Sequence, residues 1–209
     1  MPPRVTGYVL AGGRSSRMGQ DKALLQIDGE TLLARAVAKL RDICGDVYIL
    51  GAYPAYADFA PLAPDLHPDC GPMSGLEAAL AHCPSDWALV LPVDLPCLPV
   101  ALLREWIEAA LSSSTTRLAL FTVDGIPQPT VALLHRAVLP YLAASIARGR
   151  YKLYPVLREA AAALTAEQGV AEDAVLADTV VADDAGWFRN VNTPEEFAAV
   201  QAATASERE

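Results

Sequence analysis

Apolar positions in this chain fall into two kinds of run, continuous and helically spaced, and the two alternate. Thr6 to Leu10, Asp46 to Gly51 and Trp87 to Asp94 are largely unbroken apolar stretches, the last being the strongest. Runs of this kind suit strands covered on both faces, as in a parallel sheet. Between them, Leu32, Leu33, Ala36, Val37 and Leu40 recur at helical spacing behind Thr31, and Leu102, Leu103, Trp106 and Ile107 do so within a stretch from about Val100 to Leu111. These predict two amphipathic helices. Ala23 to Ile27 is short and apolar and stops at Asp28-Gly29, a turn signal.

Elsewhere the pattern is less regular. Tyr53 to Pro72 is proline-rich, longer than an ordinary connector, and loops of that length usually carry function or disorder. A helix from Ser74 to His82 follows it. Arg117 to Gly125 and Thr130 to His135 predict two strands around a turn at Gly125 to Pro129, and Arg136 to Arg148 predicts a helix. Ala160 to Asp178 reads as a surface helix and connector, and Val180 to Asp183 as an edge strand. Near the end, Thr193, Pro194 and Glu196 have the spacing of a capping box with proline at the first helical position.

Composition narrows the picture. A chain of 209 residues suits one domain, here taken as 1–209, able to hold its core without metal or disulfide staples. The hydrophobic fraction of 53% owes much to alanine, and no stretch approaches the roughly 20 apolar residues of a membrane span, so no membrane partner is expected. Met1 to Thr6 lacks the regions of a signal peptide, which points to the cytoplasm. Cys44, Cys70, Cys83 and Cys97 show no metal-ligand spacing and are expected to be free thiols. A net charge of −9 argues against nucleic acid as a partner.

Candidate chemistry begins at the end of the first strand. In Leu10-Ala11-Gly12-Gly13-Arg14-Ser15-Ser16-Arg17-Met18-Gly19-Gln20-Asp21-Lys22 two glycines allow close backbone approach, while Arg14, Arg17 and Lys22 supply positive charge, a combination suited to a nucleotide polyphosphate. Local field at such a cluster need not follow the acidic total. It is neither a Walker A loop nor the Gly-x-Gly-x-x-Gly fingerprint. Asp94, at the end of the strongest strand, would lie on the same sheet edge, where open α/β sheets bind ligands. A carboxylate beside a polyphosphate suggests Mg²⁺. His67 reads as a surface loop histidine.

The Leu-Ala-Gly-Gly-x-Ser-x-Arg-Met-Gly-x-Asp-Lys stretch resembles the signature of nucleotidyltransferases, and most closely that of the molybdenum cofactor guanylyltransferases. Three further stretches are similar to family motifs: Asp65 with Gly71-Pro72-Met73-Ser74-Gly75, where Met73 replaces a usual leucine; Asp94-Leu95-Pro96-Cys97-Leu98-Pro99; and Asn190-Val191-Asn192-Thr193-Pro194-Glu195-Glu196. Gln128-Pro129-Thr130 departs from the family's His-Pro-Thr, leaving the missing imidazole without a counterpart. The resemblance implies an α/β fold, a Rossmann-like doubly wound, mostly parallel sheet with helices on both faces, similar to nucleotide-diphospho-sugar transferases. It also implies transfer of GMP from GTP to molybdenum-bound molybdopterin, with pyrophosphate released.

By that resemblance Arg17, Lys22 and Asp94 are catalytic, with Arg17 and Lys22 on the departing pyrophosphate and Asp94 the ligand of Mg²⁺. Leu10, Ala11, Gly12, Gly13, Asp65, Gly71 and Gly75 join them in binding nucleotide. Lys152, Asn190 and Asn192 face the pterin acceptor. Proteins of molybdopterin synthesis or molybdoenzyme maturation are the implied protein partners. A cytidylyltransferase or sugar-phosphate nucleotidyltransferase of the same fold, and a nucleotide-binding protein without turnover, remain alternatives, because fold alone does not specify activity.

Overall fold

The computed structural model describes residues 4–12, 21–171, 174–183 and 186–206. Strand β1 (Val5–Leu10) leads to a 3-10 turn at Lys22–Leu24, a small hairpin of β2 (Gln26–Ile27) and β3 (Glu30–Thr31), and helix α1 (Leu32–Arg41). Next come β4 (Asp46–Leu50), a 3-10 turn at Pro54–Tyr56, β5 (Leu62–Ala63), α2 (Pro72–His82), β6 (Trp87–Pro92) and α3 (Val100–Leu111). The remainder is β7 (Leu118–Val123), β8 (Ile126–His135), a 3-10 turn at Arg136–Val138, α4 (Leu139–Ala147), α5 (Leu153–Gln168), β9 (Leu176–Val181) and α6 (Pro194–Ser206).

Seven strands form one sheet in the order β5-β4-β1-β6-β8-β7-β9. Every neighbouring pair is parallel except the two that β8 makes, so the sheet is mostly parallel. Its apolar strands alternate between two cores. Val9, Leu89, Leu91 and Phe121 point to one, packed by α1, α3 and Val200 of α6. Tyr8, Ala88, Val90 and Leu120 point to the other, packed by α2, α4 and α5. Continuous hydrophobicity in a strand thus means one side chain for each face. Each buried leucine of these seams contributes about 2 kcal/mol, which outweighs intrinsic helix propensity.

The expected doubly wound sheet with helices on both faces is observed, with local corrections. The β7–β8 reversal is a two-residue turn at Asp124-Gly125, φ 49° and 77°, and not Gly125 to Pro129. Pro127 and Pro129 sit inside β8, where a register shift between Leu120 and Phe121 loosens the ladder beside them. The long loop contains β5. Ala160 to Asp178 is not a surface helix and connector: Ala160, Ala161 and Leu164 are buried on α5, and β9 begins at Leu176. Small alanines let α5 pack against its neighbours, so the apparent blandness of that stretch reflects burial.

Candidate active site

Strand register assembles the site. Leu10 pairs with Leu50 of β4 on one side and with Pro92 of β6 on the other, so three parallel strands end at one level. The backbone N–H of Val93 donates to Leu10 O at 3.2 Å, continuing that alignment past the strand ends. Ala11-Gly12, Gly51 and Asp94 therefore emerge on the same edge, where the chain leaves β1 for opposite directions in the sheet.

Two features occupy this edge. The first is a polar cluster: Lys22 Nζ donates to Asp94 Oδ2 at 2.9 Å and to Asn192 Oδ1 at 2.7 Å. Side-chain exposure of 15% for Lys22 and 23% for Asp94 leaves the pair open enough for a ligand yet strengthens it above a surface ion pair. Lys22 is held by its own turn. Asp21 caps that turn by accepting from Ala23 N at 3.0 Å, and the buried Tyr56 donates its hydroxyl to Asp21. Burial and this carboxylate together raise the Tyr56 hydroxyl well above its ordinary range. Asp94 is held from behind, where Lys39 Nζ donates to Leu95 O at 3.2 Å and Pro96 O at 2.6 Å. Desolvation lowers the Lys39 ammonium to about 8. Val191 N donates to Asp94 O at 3.0 Å, tying the C-terminal segment to the same turn.

The second feature is an adjoining cavity of about 600 Å³, lined by Leu10, Gly12, Leu50, Gly51, Tyr53, Asp65, Asp69, Gly71, Pro72 and Gly75. Two of these glycines have different surroundings. A Cβ on Gly12 meets no described atom within 4 Å, so packing among the described residues does not demand glycine there. A Cβ on Gly75 would lie 2.7 Å from Leu10 Cδ1 and push that side chain. Burial raises the Asp65 carboxyl, and the Ser74 hydroxyl beside it acts in the opposite sense.

Of the expected site residues, Lys22, Asp94 and Asn192 are in direct contact, and Leu10, Gly12, Asp65, Gly71 and Gly75 line the cavity. Ala11 lies between Leu10 and Gly12. Gly13, Arg14 and Arg17 lie outside the described residues. Asn190 is half-buried, and Lys152 is exposed at the N-cap of α5. Tyr151 beside it interacts with Cys70 of the cavity loop, which raises the Tyr151 hydroxyl and brings that turn to the cavity side. Asn192 differs most from expectation: its amide oxygen is engaged with Lys22, not directed only toward an acceptor. Tyr56 and Lys39 carried no sequence signal because their partners, Asp21 and the Leu95 and Pro96 carbonyls, are distant in the chain, and Gly51, Tyr53 and Asp69 were missed because only the folded strand ends bring them to the cavity.

A parallel sheet bearing a glycine loop, a lysine and a strand-end aspartate beside a cavity defines a nucleotide-handling α/β protein. Residues 7–167 match the MobA-like NTP transferase domain. The chain belongs to this family of nucleotidyltransferases. It is 33% identical to the molybdenum cofactor guanylyltransferase of Vibrio cholerae over 94% of this chain and 91% of that one. With the molybdenum cofactor guanylyltransferase of Xanthomonas euvesicatoria the identity is 37%, over 92% of each. A crystal structure of molybdopterin-guanine dinucleotide biosynthesis protein A from Archaeoglobus fulgidus superposes with a TM-score of 0.73 at 19% identity, covering 96% of this chain and 99% of that one, and shares the fold.

Proposed function

We propose that this protein is a cytoplasmic guanylyltransferase that moves GMP from GTP to molybdenum-bound molybdopterin, forming the guanine dinucleotide cofactor and pyrophosphate. The observation that carries the reading is the Lys22–Asp94 pair at 2.9 Å, on the same strand-end edge from which Leu10, Gly12 and Gly51 line a cavity of about 600 Å³. In the reaction an oxygen of the acceptor's terminal phosphate attacks the α-phosphorus of GTP in line. The bond from that phosphorus to the bridging oxygen breaks, and pyrophosphate leaves with the electron pair. The nucleophile is already ionised, so no general base is required. Positioning and charge neutralisation carry the rate.

Each residue then has a task. Lys22 exchanges its bond to Asp94 for the phosphate oxygens, while Asn192 keeps its Nζ aimed at them. Arg17 joins it through the family motif, and Leu10 to Gly13 with Asp65, Gly71 and Gly75 enclose the nucleoside. Lys152 and Asn190 stand toward the acceptor. The donor set fits Mg²⁺ brought with the nucleotide: Asp94 offers a carboxylate at the strand-end edge, and among the described residues no group of three or more His, Cys, Asp or Glu forms a protein cage. When bound there, Mg²⁺ would neutralise phosphate charge. Its partners in the cell would be proteins of molybdopterin synthesis or molybdoenzyme maturation. Among the described residues, no helix is long and apolar enough to cross a membrane.

The test is to incubate the purified protein with Mg²⁺, molybdopterin and each of the four nucleoside triphosphates, and to measure pyrophosphate. Release with GTP alone supports the proposal. Release with CTP instead overturns the base assignment, and release with none favours nucleotide binding without turnover.

A further inference from the structure

Helix α2 buries a carboxylate that the reaction does not use. Glu77 is 2% exposed and lies among Leu76, Ala78, Ala79 and Leu80 in a segment buried on all sides. An acid in such surroundings is costly unless a donor meets it. The donor is His67: its Nδ1 lies 2.7 Å from Glu77 Oε2. His67 itself has a side chain 53% exposed, so its own burial does not account for its position.

His67 belongs to the segment between β5 and α2, which has no regular structure from 64 to 71. Two residues to either side of His67 are Asp65 and Asp69, both lining the cavity. Asp69 adopts φ 69°, a left-handed conformation that a residue other than glycine rarely takes without support. Leu66, between Asp65 and His67, turns outward and is 55% exposed. The middle of the cavity wall is thus fastened to the body of the protein through His67, and the other end of the bond is immobile because α2 is packed against β6, α4 and the sheet's central strands.

We propose that the His67–Glu77 bond is a positioning device for nucleotide binding: it fastens the 64–71 segment to α2 and so holds Asp65 and Asp69 at the cavity. This rests on the cavity being the nucleoside site proposed above. Neither residue touches the reacting phosphates, so the pair acts on nucleotide affinity and leaves the chemical step alone. A purely structural pair would instead change stability without a selective change in affinity.

Three variants separate these roles. His67→Leu removes the donor at a half-exposed position; His67→Asn places an amide nitrogen near the position of Nδ1; and His67→Leu/Glu77→Leu removes both partners, so that no unpaired acid remains in α2. GTP affinity is measured by calorimetry with Mg²⁺, turnover at saturating GTP, and stability from urea midpoints. The expected result is at least a fivefold weaker Kd for His67→Leu, with kcat within twofold of the parent and an affinity largely restored in His67→Asn. The double variant should regain the urea midpoint lost by His67→Leu but keep its weak Kd. Equal GTP affinity in the parent and His67→Leu overturns the inference, as does a fall in kcat with Kd unchanged. A parent that binds no GTP removes the nucleotide reading itself, and this inference falls with it. GTP binding by the parent with no change in any variant defeats the positioning role alone.

Discussion

Lys22 makes two bonds at the strand-end edge, one ionic and one to an amide oxygen. Its charge is matched by Asp94 and by the Asn192 amide oxygen, and in the proposed reaction the same Nζ would meet phosphate oxygens. Lys22→Ala is expected to lower kcat by about a hundredfold or more, the scale of removing a charged group that acts on developing transition-state charge. Asp94→Asn should abolish turnover at saturating Mg²⁺ while the circular dichroism spectrum stays that of the parent. An effect of Lys22→Ala confined to stability, or near-normal turnover by Asp94→Asn, would remove that residue from its assigned role. Asn192 is tested differently. If it aims Lys22, Asn192→Ala should cost about tenfold in kcat/KM, about 1.4 kcal/mol, with GTP itself as the sensitive substrate. A defect seen only in the KM for molybdopterin would place Asn192 on the acceptor instead.

Helices and turns support these residues from outside the site. Lys39 of α1 reaches the carbonyls of Leu95 and Pro96, and burial lowers its ammonium to about 8. In the unfolded chain the group keeps its ordinary value near 10.5, so between about pH 8 and 10.5 the unfolded state binds more protons than the folded one. Stability from this group therefore rises with pH across that window, by at most on the order of 3 kcal/mol. The urea midpoint of the parent should accordingly gain on that of Lys39→Met between pH 7.5 and pH 10; a constant difference would contradict a depressed Lys39. At α6, Thr193 Oγ1 accepts from Glu196 N at 3.2 Å, while Glu196 Oε2 accepts from Thr193 N at 3.0 Å and Asn192 N at 2.6 Å. The box thus holds the backbone of Asn192 as well as starting a helix. Thr193→Ala should cost about 1 kcal/mol in denaturant unfolding and also weaken turnover, because the cap and the Lys22 contact share one segment.

At the scale of the molecule, one seven-stranded sheet among the described residues carries helices on both faces, with one core on each side of it. We expect a single cooperative unit in consequence. Tryptophan fluorescence and far-ultraviolet circular dichroism should give superimposable urea transitions, whereas two separated midpoints would divide the chain into domains. The acidic total, a net charge of −9, does not keep a lysine from the strand-end edge. Parallel register gathers Lys22 and the open strand ends at one edge, so the local field there is set by a few groups.

Much of this was legible in the residues. Thr6 to Leu10 and Trp87 to Asp94 announced covered strands because parallel sheets demand unbroken apolar runs, and Thr193-Pro194-Glu195-Glu196 announced a helix start because capping is local chemistry. The nearness of Lys22 and Asp94 was readable because both stand just past the ends of predicted neighbouring strands. The turn at Asp124-Gly125 was misplaced because Pro127 and Pro129 are ordinarily turn or edge residues, and only the register shift beside them makes β8 continuous. Ala160 and Ala161 carried no periodic contrast by which to reveal their burial.

By itself, then, the sequence determined the alternation of strand and helix, the strand-end place of Asp94 and the final cap, all set by neighbours within a few residues. Tertiary structure decided which distant groups meet: Asn192 on Lys22, Tyr56 on Asp21, Lys39 behind Asp94, and His67 on the buried Glu77. Those pairings depend on strand order and helix packing, which bring together residues separated by as many as 170 positions. No local pattern encodes such a contact, since each side chain obtains its partner only when the sheet has closed around both.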